Sequence, residues 1–265
     1  MNPQLKPWHF WWIFTDLLTM VERNLIRYRR VPQLLIFSTI QPVMFLLLFT
    51  YVFGGAIRTG GGQYINFLLP GILVQTAVFG AMQTGIGLVD DLSKGIIDRF
   101  KSLPMARSAV LLGRTVADMM RNIFVVLLMF GVGYIIGFRL QGSWSDAMTA
   151  FALLLSFGFA FSWVSAAIGM AVKTPETAQV AGFIWVFPLV FASSIFVPVE
   201  SMPTWLQTFA AWSPVTITVN AVRSLLLNNV AEIDKARYAW ESIGWIAAIL
   251  IVFMPLAIYL YRKSS

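Results

Sequence analysis

A charged segment near the middle of the chain contains the residue types best suited to binding another molecule. DDLSKGIIDRFKSLPMAR, residues 90–107, carries seven charges, whereas only 12% of the 265 residues are charged. Apolar residues recur in it at helical spacing, namely Ile96, Ile97, Phe100 and Leu103, and Pro104 ends the pattern because proline removes a backbone donor. This indicates a short amphipathic helix with two acids, Asp90 and Asp91, where it begins. Such a helix suits docking into a groove on a protein partner, and an ordinary solvated loop is the alternative.

Other candidate residues lie inside long uncharged runs. Gln75, Gln83 and Thr84 are polar groups that lipid would penalise, so we expect them to face a cavity or to bond a neighbouring helix. Phe183, Phe187 and Phe191 recur at i, i+4 and i+8 and form an aromatic ridge, which either packs or lines a pathway. The glycine-rich stretches GIGL (85–88) and FGVGYIIG (130–137) predict close contacts between helices.

Catalytic and metal-binding motifs are missing from the sequence. It has no G-x-x-x-x-G-K-[ST] nucleotide loop, no G-x-S-x-G, no cysteine and one histidine, His9. We therefore expect no catalytic residue, no metal site and no cofactor in this chain. Ion-coupled transporters usually bury an ionisable group at mid-membrane, and the only carboxylate inside a predicted span is Asp118, near its start. The energy for any transport is therefore expected to come from a partner.

The uncharged runs predict an all-α polytopic membrane protein, because about 20 apolar residues cross a bilayer as a helix. The composition, 58% hydrophobic, agrees, and continuous rather than alternating apolar runs exclude a transmembrane β-barrel. The predicted spans are 33–53, 67–89, 115–137, 148–172, 178–198 and 242–261. The third is the weakest, because Asp118 and Arg121 lie near its start, where Asp118 can pair with Arg121 and with Arg114.

The remaining segments complete the topology. Residues 8–30 predict an amphipathic helix at the membrane surface, with Arg23, Arg27 and Arg30 on its polar face. Residues 199–229 are interrupted by two prolines and predict short re-entrant helices at the outer face, with a seventh span as the alternative. Six spans place fourteen of the 19 Lys and Arg residues on one side, which makes that side, both termini and residues 90–107 cytoplasmic. The net charge of +7 then needs no nucleic acid to explain it.

The pattern Asp90-Asp91…Gly95…Asp98-Arg99-Phe100-Lys101-Ser102-Leu103-Pro104-Met105…Arg107 resembles the cytoplasmic loop of ABC-2 type permeases, in particular the daunorubicin/doxorubicin exporter group. FVPVESMPTWLQTFAAWSPVTITVNAVR (196–223) is similar to the extracellular re-entrant region of that family. The resemblance covers essentially the whole chain. It implies one ABC-2 (type V exporter-like) transmembrane domain over residues 1–265, in a bacterial cytoplasmic membrane.

The resemblance also implies partners and roles. Two such chains, identical or sister permeases, would form a pathway chiefly from spans two and five, to which Gln75, Gln83, Thr84, Phe183, Phe187 and Phe191 would contribute. Two separate ATPase subunits, which carry ATP and Mg²⁺, would dock on the 90–107 loop. The docking residues would be Asp90, Asp91, Lys94, Gly95, Asp98, Arg99, Phe100, Lys101, Pro104 and Arg107.

The substrate expected from this resemblance is a hydrophobic or amphipathic compound, drug or lipid-like, moved outward. A lipid-linked polysaccharide or cell-wall glycan is the alternative within the family. A stand-alone secondary transporter and a membrane enzyme are disfavoured, because the sequence lacks a charged group at mid-span and a catalytic set.

Overall fold

The computed structural model describes residues 10–31, 33–57, 63–96, 107–227 and 234–263. This part of the chain is helical and contains no strand. Its helices are, in order, α1 (Phe10–Arg30), α2 (Gln33–Leu48), α3 (Tyr64–Ser93), α4 (Arg107–Ile136), α5 (Trp144–Ala171), α6 (Pro175–Phe191), α7 (Thr204–Trp212), α8 (Pro214–Leu226) and α9 (Lys235–Lys263). A π-helical turn, Phe49–Phe53, extends α2, and a 3₁₀ turn, Val199–Ser201, precedes α7.

Helix α3 is the centre of the bundle. It packs against α2, α4, α5, α6 and α8, and its middle is buried almost all round, as a run of apolar residues without a polar face predicts. Glycines allow the closest of these contacts. A side chain at Gly85 would overlap the backbone of Ser165 in α5, and one at Gly169 would lie 2.6 Å from the carbonyl oxygen of Gly85. The prediction of close helix contacts at residues 85–88 is confirmed at Gly85 and Gly87.

Apolar side chains cover much of the outside of the bundle. Among the described residues, four helices are long and apolar enough to cross a membrane: α3, residues 111–136 of α4, α5 and α9. Two apolar stretches, Ser38–Phe53 and Pro175–Phe191, are shorter. On α9, large apolar side chains such as Ile251 and Val252 are exposed, as expected of a surface that faces lipid. The count of six spans stays a prediction.

The segment after α6 is a broken pair of helices, α7 and α8, which meet at Ser213 and Pro214. Helix α6 ends at Phe191, before the predicted end of span five at residue 198. Beyond it, hydroxyl groups take the place of backbone partners in the hydrogen bonds. The Ser193 hydroxyl donates to the carbonyl of Val190 (2.5 Å), and the Ser194 amide donates to Thr216 Oγ1 (3.2 Å). Entry of α7 and α8 into the outer leaflet stays a prediction.

Exposed tryptophans gather at one end of the bundle. Trp144, Trp205, Trp212 and Trp240 are all exposed, and they lie at or near the ends of α5, α7 and α9. The same end carries the start of α3, whereas the last turn of α3 and the start of α4 lie at the opposite end, which we call the island end because the charged segment 90–107 joins these two helices. Tryptophan is enriched where a bilayer meets water, so this end has the composition of a membrane interface.

Candidate transport pathway and coupling region

A polar cavity of about 510 Å³ lies between α1, α2, α3, α4 and α6, in the half of the bundle nearer the island end. Six side-chain amides line it: Asn24, Gln41, Gln75, Gln83, Asn122 and Gln179. Phe79 and Phe183 form an aromatic part of the wall. This size is typical of small-molecule sites, which combine apolar walls with a few convergent polar groups. Three of the predicted pathway residues, Gln75, Gln83 and Phe183, therefore share one cavity.

Five charged residues form a cluster beside this cavity, which we call the Asp118 cluster: the partly exposed Arg23 and the buried residues Asp91, Arg114, Asp118 and Arg121. Arg114 bridges two carboxylates, with Nε 3.4 Å from Asp118 Oδ2 and Nη1 3.3 Å from Asp91 Oδ2. Arg121 Nη1 lies 3.8 Å from Asp118 Oδ1. The predicted i, i+3 and i, i+4 pairs of Asp118 are thus confirmed, and the cluster links α1, α3 and α4.

The burial of these charges is a feature that the sequence interpretation, which placed Asp118 and Arg121 near the start of the third span, did not include. Asp118 is 0% exposed, and Arg114 and Arg121 are also buried. Burial is tolerated because each charge has a partner of opposite sign and further hydrogen bonds. Thr84 Oγ1 donates to Asp118 Oδ2 at 2.6 Å, and Arg121 Nη2 donates to the Gly80 carbonyl at 2.7 Å.

Glycines of α3 make room for the polar side chains of α4. A side chain at Gly87 would overlap the guanidinium of Arg114, and one at Gly80 would overlap the amide of Asn122. The polar residues of α4 therefore reach the α3 backbone directly. This arrangement carries them to the cavity wall, where Arg114, Arg121 and Asn122 all appear.

The predicted phenylalanine ridge continues from the cavity toward the tryptophan end. Ring centroids of Phe183 and Phe187, of Phe187 and Phe191, and of Phe191 and Phe196 are each 5.3 Å apart. Phe196 stacks on Phe49 of the α2 extension at 4.3 Å. Phe187 and Phe191 are both 43% exposed, so the ridge presents an aromatic surface along α6 rather than a packed interior.

Sequence comparisons agree with this architecture. Residues 15–227 match the ABC-2 type transporter family. The chain is 35% identical to the daunorubicin resistance ABC transporter permease protein of Streptomyces coeruleorubidus, over 94% of this chain and 86% of that protein. It is 27% identical to a Mycobacterium tuberculosis protein named "Probable doxorubicin resistance ABC transporter permease protein", over 94% of this chain and 88% of that protein.

The chain belongs to the ABC-2 type transporter family. The predicted resemblance is therefore confirmed, and the apolar helices and the family together make this a multi-pass membrane protein. In this ABC-2 family member, the structure describes residues 90–96 and Arg107 of the charged segment 90–107.

Asp90 and Asp91 belong to the last turn of α3, not to the start of a separate helix, which corrects the sequence interpretation. Acidic groups are unfavourable at a helix C-terminus, and cations offset this here. Lys94 Nζ lies 2.7 Å from Asp90 Oδ1, and Asp91 pairs with Arg114 and with Arg23 (Nη2 to Oδ1, 3.7 Å). Asp91 is buried and makes its contacts within the chain, so its proposed contact with an ATPase gains no support from its position.

Gly95 ends the last turn of α3 with a φ of +65°, a left-handed conformation that favours glycine. Lys94, next to it, is exposed. Arg107 begins α4, and its side chain is outside the described part of the chain. Asp98, Arg99, Phe100, Lys101 and Pro104 lie outside the described residues, so their predicted docking role stays a prediction.

Helix α1 packs along α4, with Met20 against Gly113. Arg23 of the predicted polar face enters the Asp118 cluster, whereas Arg30 is exposed; the side chain of Arg27 is outside the described part. Of the three other pathway candidates on α3 and α6, Thr84 is fully buried against Asp118, and Phe187 and Phe191 lie on the ridge beyond the cavity.

Another buried cation lies at the tryptophan end, within residues 199–229, for which the sequence predicts re-entrant helices. Arg223 of α8 is 4% exposed and donates to the carbonyls of Phe67 (Nη2, 3.0 Å) and Ser194 (Nη2, 3.0 Å) and to Asn220 Oδ1 (Nη1, 3.1 Å). Its guanidinium carbon lies 3.8 Å from the ring centroid of Phe67. We call these residues the Arg223 cluster. The sequence signal was a lone arginine, three residues after Asn220, that ends an uncharged run.

Proposed function

We propose that this chain is the permease subunit of an ABC exporter and that it moves an amphipathic compound out of the cytoplasm or the inner leaflet. The observation that carries the proposal is the polar cavity, which in an ABC-2 family chain continues into an aromatic ridge toward the other end of the bundle. Such a wall offers polar contacts to one part of a ligand and apolar contacts to the rest. The names of the relatives, which refer to daunorubicin and doxorubicin resistance, support a compound of this class.

The proposal requires a separate ATPase, since the sequence has no nucleotide-binding loop. We place the docking surface at residues 90–107, with two ATPase subunits beneath two permease chains, identical or sister. Both connections of this segment to the bundle start near one cluster: Asp91 lies in the last turn of α3, Arg114 is the eighth residue of α4, and the two side chains pair. A displacement of the docked segment would therefore reach Asp118, Thr84 and the cavity wall through direct contacts.

Orientation follows from the same proposal. The island end would face the cytoplasm, together with both termini, and the tryptophan end would face the exterior of a bacterial cytoplasmic membrane. The polar cavity would then lie in the half of the bundle nearer the side from which an exporter takes its substrate.

The absence of cysteine allows a direct test. A single cysteine is introduced by Lys94→Cys, at an exposed residue next to Gly95, and is crosslinked in native membranes; captured proteins are identified by mass spectrometry. Ser145→Cys, at the exposed start of α5, is the matched control at the opposite end. Capture of a protein that contains G-x-x-x-x-G-K-[ST] at residue 94, and not at residue 145, is expected.

Compound-stimulated ATP hydrolysis by the purified pair would then establish the export motor. Capture of no nucleotide-binding protein at residue 94, together with transport that follows a proton gradient, would contradict the proposal. Asp118 would in that case be the group to examine, because it is a buried carboxylate next to the cavity. Its pairing with Arg114 and Arg121 disfavours that alternative, because these contacts already assign the carboxylate to the chain's own ion pairs.

A further inference from the structure

We propose that the polar cavity binds an uncharged, hydroxyl-bearing head group, such as a sugar or polyol, and that the apolar body of the same molecule lies along the phenylalanine ridge. This inference rests on the proposed function, because it names the chemical class of compound that the permease would carry. It follows from three properties of the described cavity wall: the pairing of its charges, its amide groups and the ridge that leads away from it.

The charged groups of the cavity wall already have partners in the chain. Arg114 pairs with Asp91 and Asp118, and Arg121 pairs with Asp118. Asp90, the carboxylate on the wall, pairs with Lys94. A charged head group would have to compete with these pairs, and breaking a buried pair is costly because it leaves a charge uncompensated. An uncharged polar head does not disturb them.

The side-chain amides of the cavity wall can form hydrogen bonds with a ligand, whereas the charged groups are already paired. An amide side chain offers two donors and a carbonyl acceptor, which is the complement of a hydroxyl group that donates and accepts. Six such side chains converge on one cavity. One of them, Asn24, donates to the Met20 carbonyl of its own helix, and the number that remains suits a head group with several hydroxyls.

Gln75 gives the strongest single indication. Its side chain is 2% exposed and lines the cavity, yet its carbonyl oxygen, Oε1, has no hydrogen-bond partner in the chain. A buried acceptor without a partner lowers stability, so native proteins rarely retain one without a reason. A hydroxyl donor on a ligand would satisfy Gln75 Oε1, and a quaternary ammonium or a sulfate ester has no such donor.

The phenylalanine ridge offers a contact surface for the apolar part of the ligand. Phe79 and Phe183 on the cavity wall both lead to Phe187, with ring centroids 6.0 Å and 5.3 Å away, and Phe187 leads to Phe191. The faces of sugar rings and apolar chains both pack on aromatic surfaces. The cavity and the ridge together therefore fit an amphiphile that extends along α6 from a hydroxylated head.

The test uses the full chain in lipid nanodiscs, with Gln83→Cys as a reporter on the exposed part of the cavity wall. The rate of maleimide labelling is measured with three probes of equal chain length, each below its micelle-forming concentration: octyl β-D-glucoside, octyltrimethylammonium and octyl sulfate. We expect the glucoside to slow labelling several-fold more than either charged probe. Ser145→Cys, remote from the cavity, serves as the control reporter and should show no protection.

Gln75→Leu in the reporter background separates recognition from general blocking of the cavity. It removes an acceptor that has no partner, so we expect the variant to fold normally. The glucoside concentration needed for half-protection should rise about five- to tenfold, the loss of one hydrogen bond. Asn66→Leu is the matched control, because Asn66 Oδ1 is a second buried oxygen without a partner on α3 but does not line the cavity. It should leave protection unchanged.

Equal or better protection by a charged probe would overturn the inference, as would a Gln75→Leu variant that retains full glucoside protection. Neither result depends on an ATPase. Glucoside binding without capture of an ATPase would keep the ligand class and remove the export function. Capture of an ATPase that is stimulated only by charged amphiphiles would keep the export function and remove the proposed ligand class.

Discussion

The Asp118 cluster and the Arg223 cluster both bury arginine, and they stabilise it in different ways. Arg114 and Arg121 pair with carboxylates, so side chains of α1, α3 and α4 offset most of one another's charge. Arg223 is held by the backbone carbonyls of Phe67 and Ser194, the Asn220 amide and the Phe67 ring. One cluster balances charge with charge, whereas the other solvates a cation with dipoles.

This difference indicates different mechanical roles. Ion pairs between side chains can exchange partners, and the Asp118 cluster has two carboxylates among which three arginines can redistribute. It joins the last turn of α3 to the first part of α4, and its members Arg114 and Arg121 line the cavity. Hydrogen bonds from one arginine to the backbone of two other segments fix those segments together. The Arg223 cluster therefore holds α8, the start of α3 and the turn after α6 together.

The substitution Asp118→Asn should produce the largest effect. It keeps the shape of the side chain and leaves Arg121 and one side of Arg114 uncompensated in a buried site. We expect a loss of about 3–5 kcal/mol in the free energy of unfolding, measured by denaturant titration in mixed micelles. Asp146→Asn, which breaks the partly exposed pair with Lys235 at the other end, should cost far less.

A second substitution sharpens this test. Asp118→Asn combined with Arg121→Gln should regain part of the lost stability, because it removes one of the cations that lost its partner. A single variant as stable as the parent, or a double variant less stable than the sum of its parts, would show that the Asp118 cluster is not balanced by charge.

The substitution Arg223→Met should have a smaller effect, since it removes the buried cation together with its contacts and leaves no carboxylate unpaired. We expect a loss of about 2 kcal/mol, chiefly from the unpaired carbonyl of Ser194 and the lost contact with Phe67. Arg237→Met, at an exposed arginine of the same end, is the matched control and should be close to neutral. A loss as large as that of Asp118→Asn would remove the contrast between the two clusters.

The two clusters also show how far the sequence could be interpreted. The pairs of Asp118 with Arg114 and Arg121 could be predicted, because helical spacing alone brings i, i+3 and i, i+4 neighbours together. Their burial could not, since it depends on Gly80 and Gly87 of another helix and on Asp91, which is 23 residues before Arg114 in the chain. Asp90 and Asp91 were wrongly predicted to begin a new helix. They belong to the last turn of α3, which continues to Ser93, and the apolar pattern of that helix stops before these two charged residues.

The contacts of the Arg223 cluster could be predicted even less well from the sequence. Its partners, Phe67 and Ser194, are 156 and 29 residues away in the chain, and they bind through backbone carbonyls, which every residue has. Side-chain identity therefore carried no information about the contact. The phenylalanine ridge, in contrast, was predicted from spacing within α6, and its continuation through Phe196 to Phe49 required the structure.

Adding one methyl group to a glycine near each cluster tests whether the Asp118 region adapts and the Arg223 region does not. At Gly71, a side chain would lie 2.7 Å from the Ile195 carbonyl oxygen, which is backbone next to Ser194. At Gly87 it would meet the flexible end of Arg114. We expect Gly71→Ala to cost about 1–3 kcal/mol by overpacking and Gly87→Ala to cost less, in the same unfolding titration. The reverse order would contradict the assignment of rigidity. Gly131→Ala, with open space around it, should be neutral or slightly stabilising.

The smallest expected change in stability is that of Lys94→Gln, which removes the exposed pair with Asp90 beside the Asp118 cluster. The side chain of Lys94 is 58% exposed, and pairs of this kind contribute about 0–1 kcal/mol, less at high salt. The free energy of unfolding should therefore barely change, and raising the salt concentration should remove the difference from the parent. If residues 90–107 bind an ATPase, the same substitution should weaken capture of that ATPase through a cysteine introduced by Ser93→Cys, at the neighbouring exposed residue, although the fold is intact. An unchanged yield of captured ATPase would instead assign Lys94 to the chain's own helix end, as the structure already assigns Asp91 to its interior.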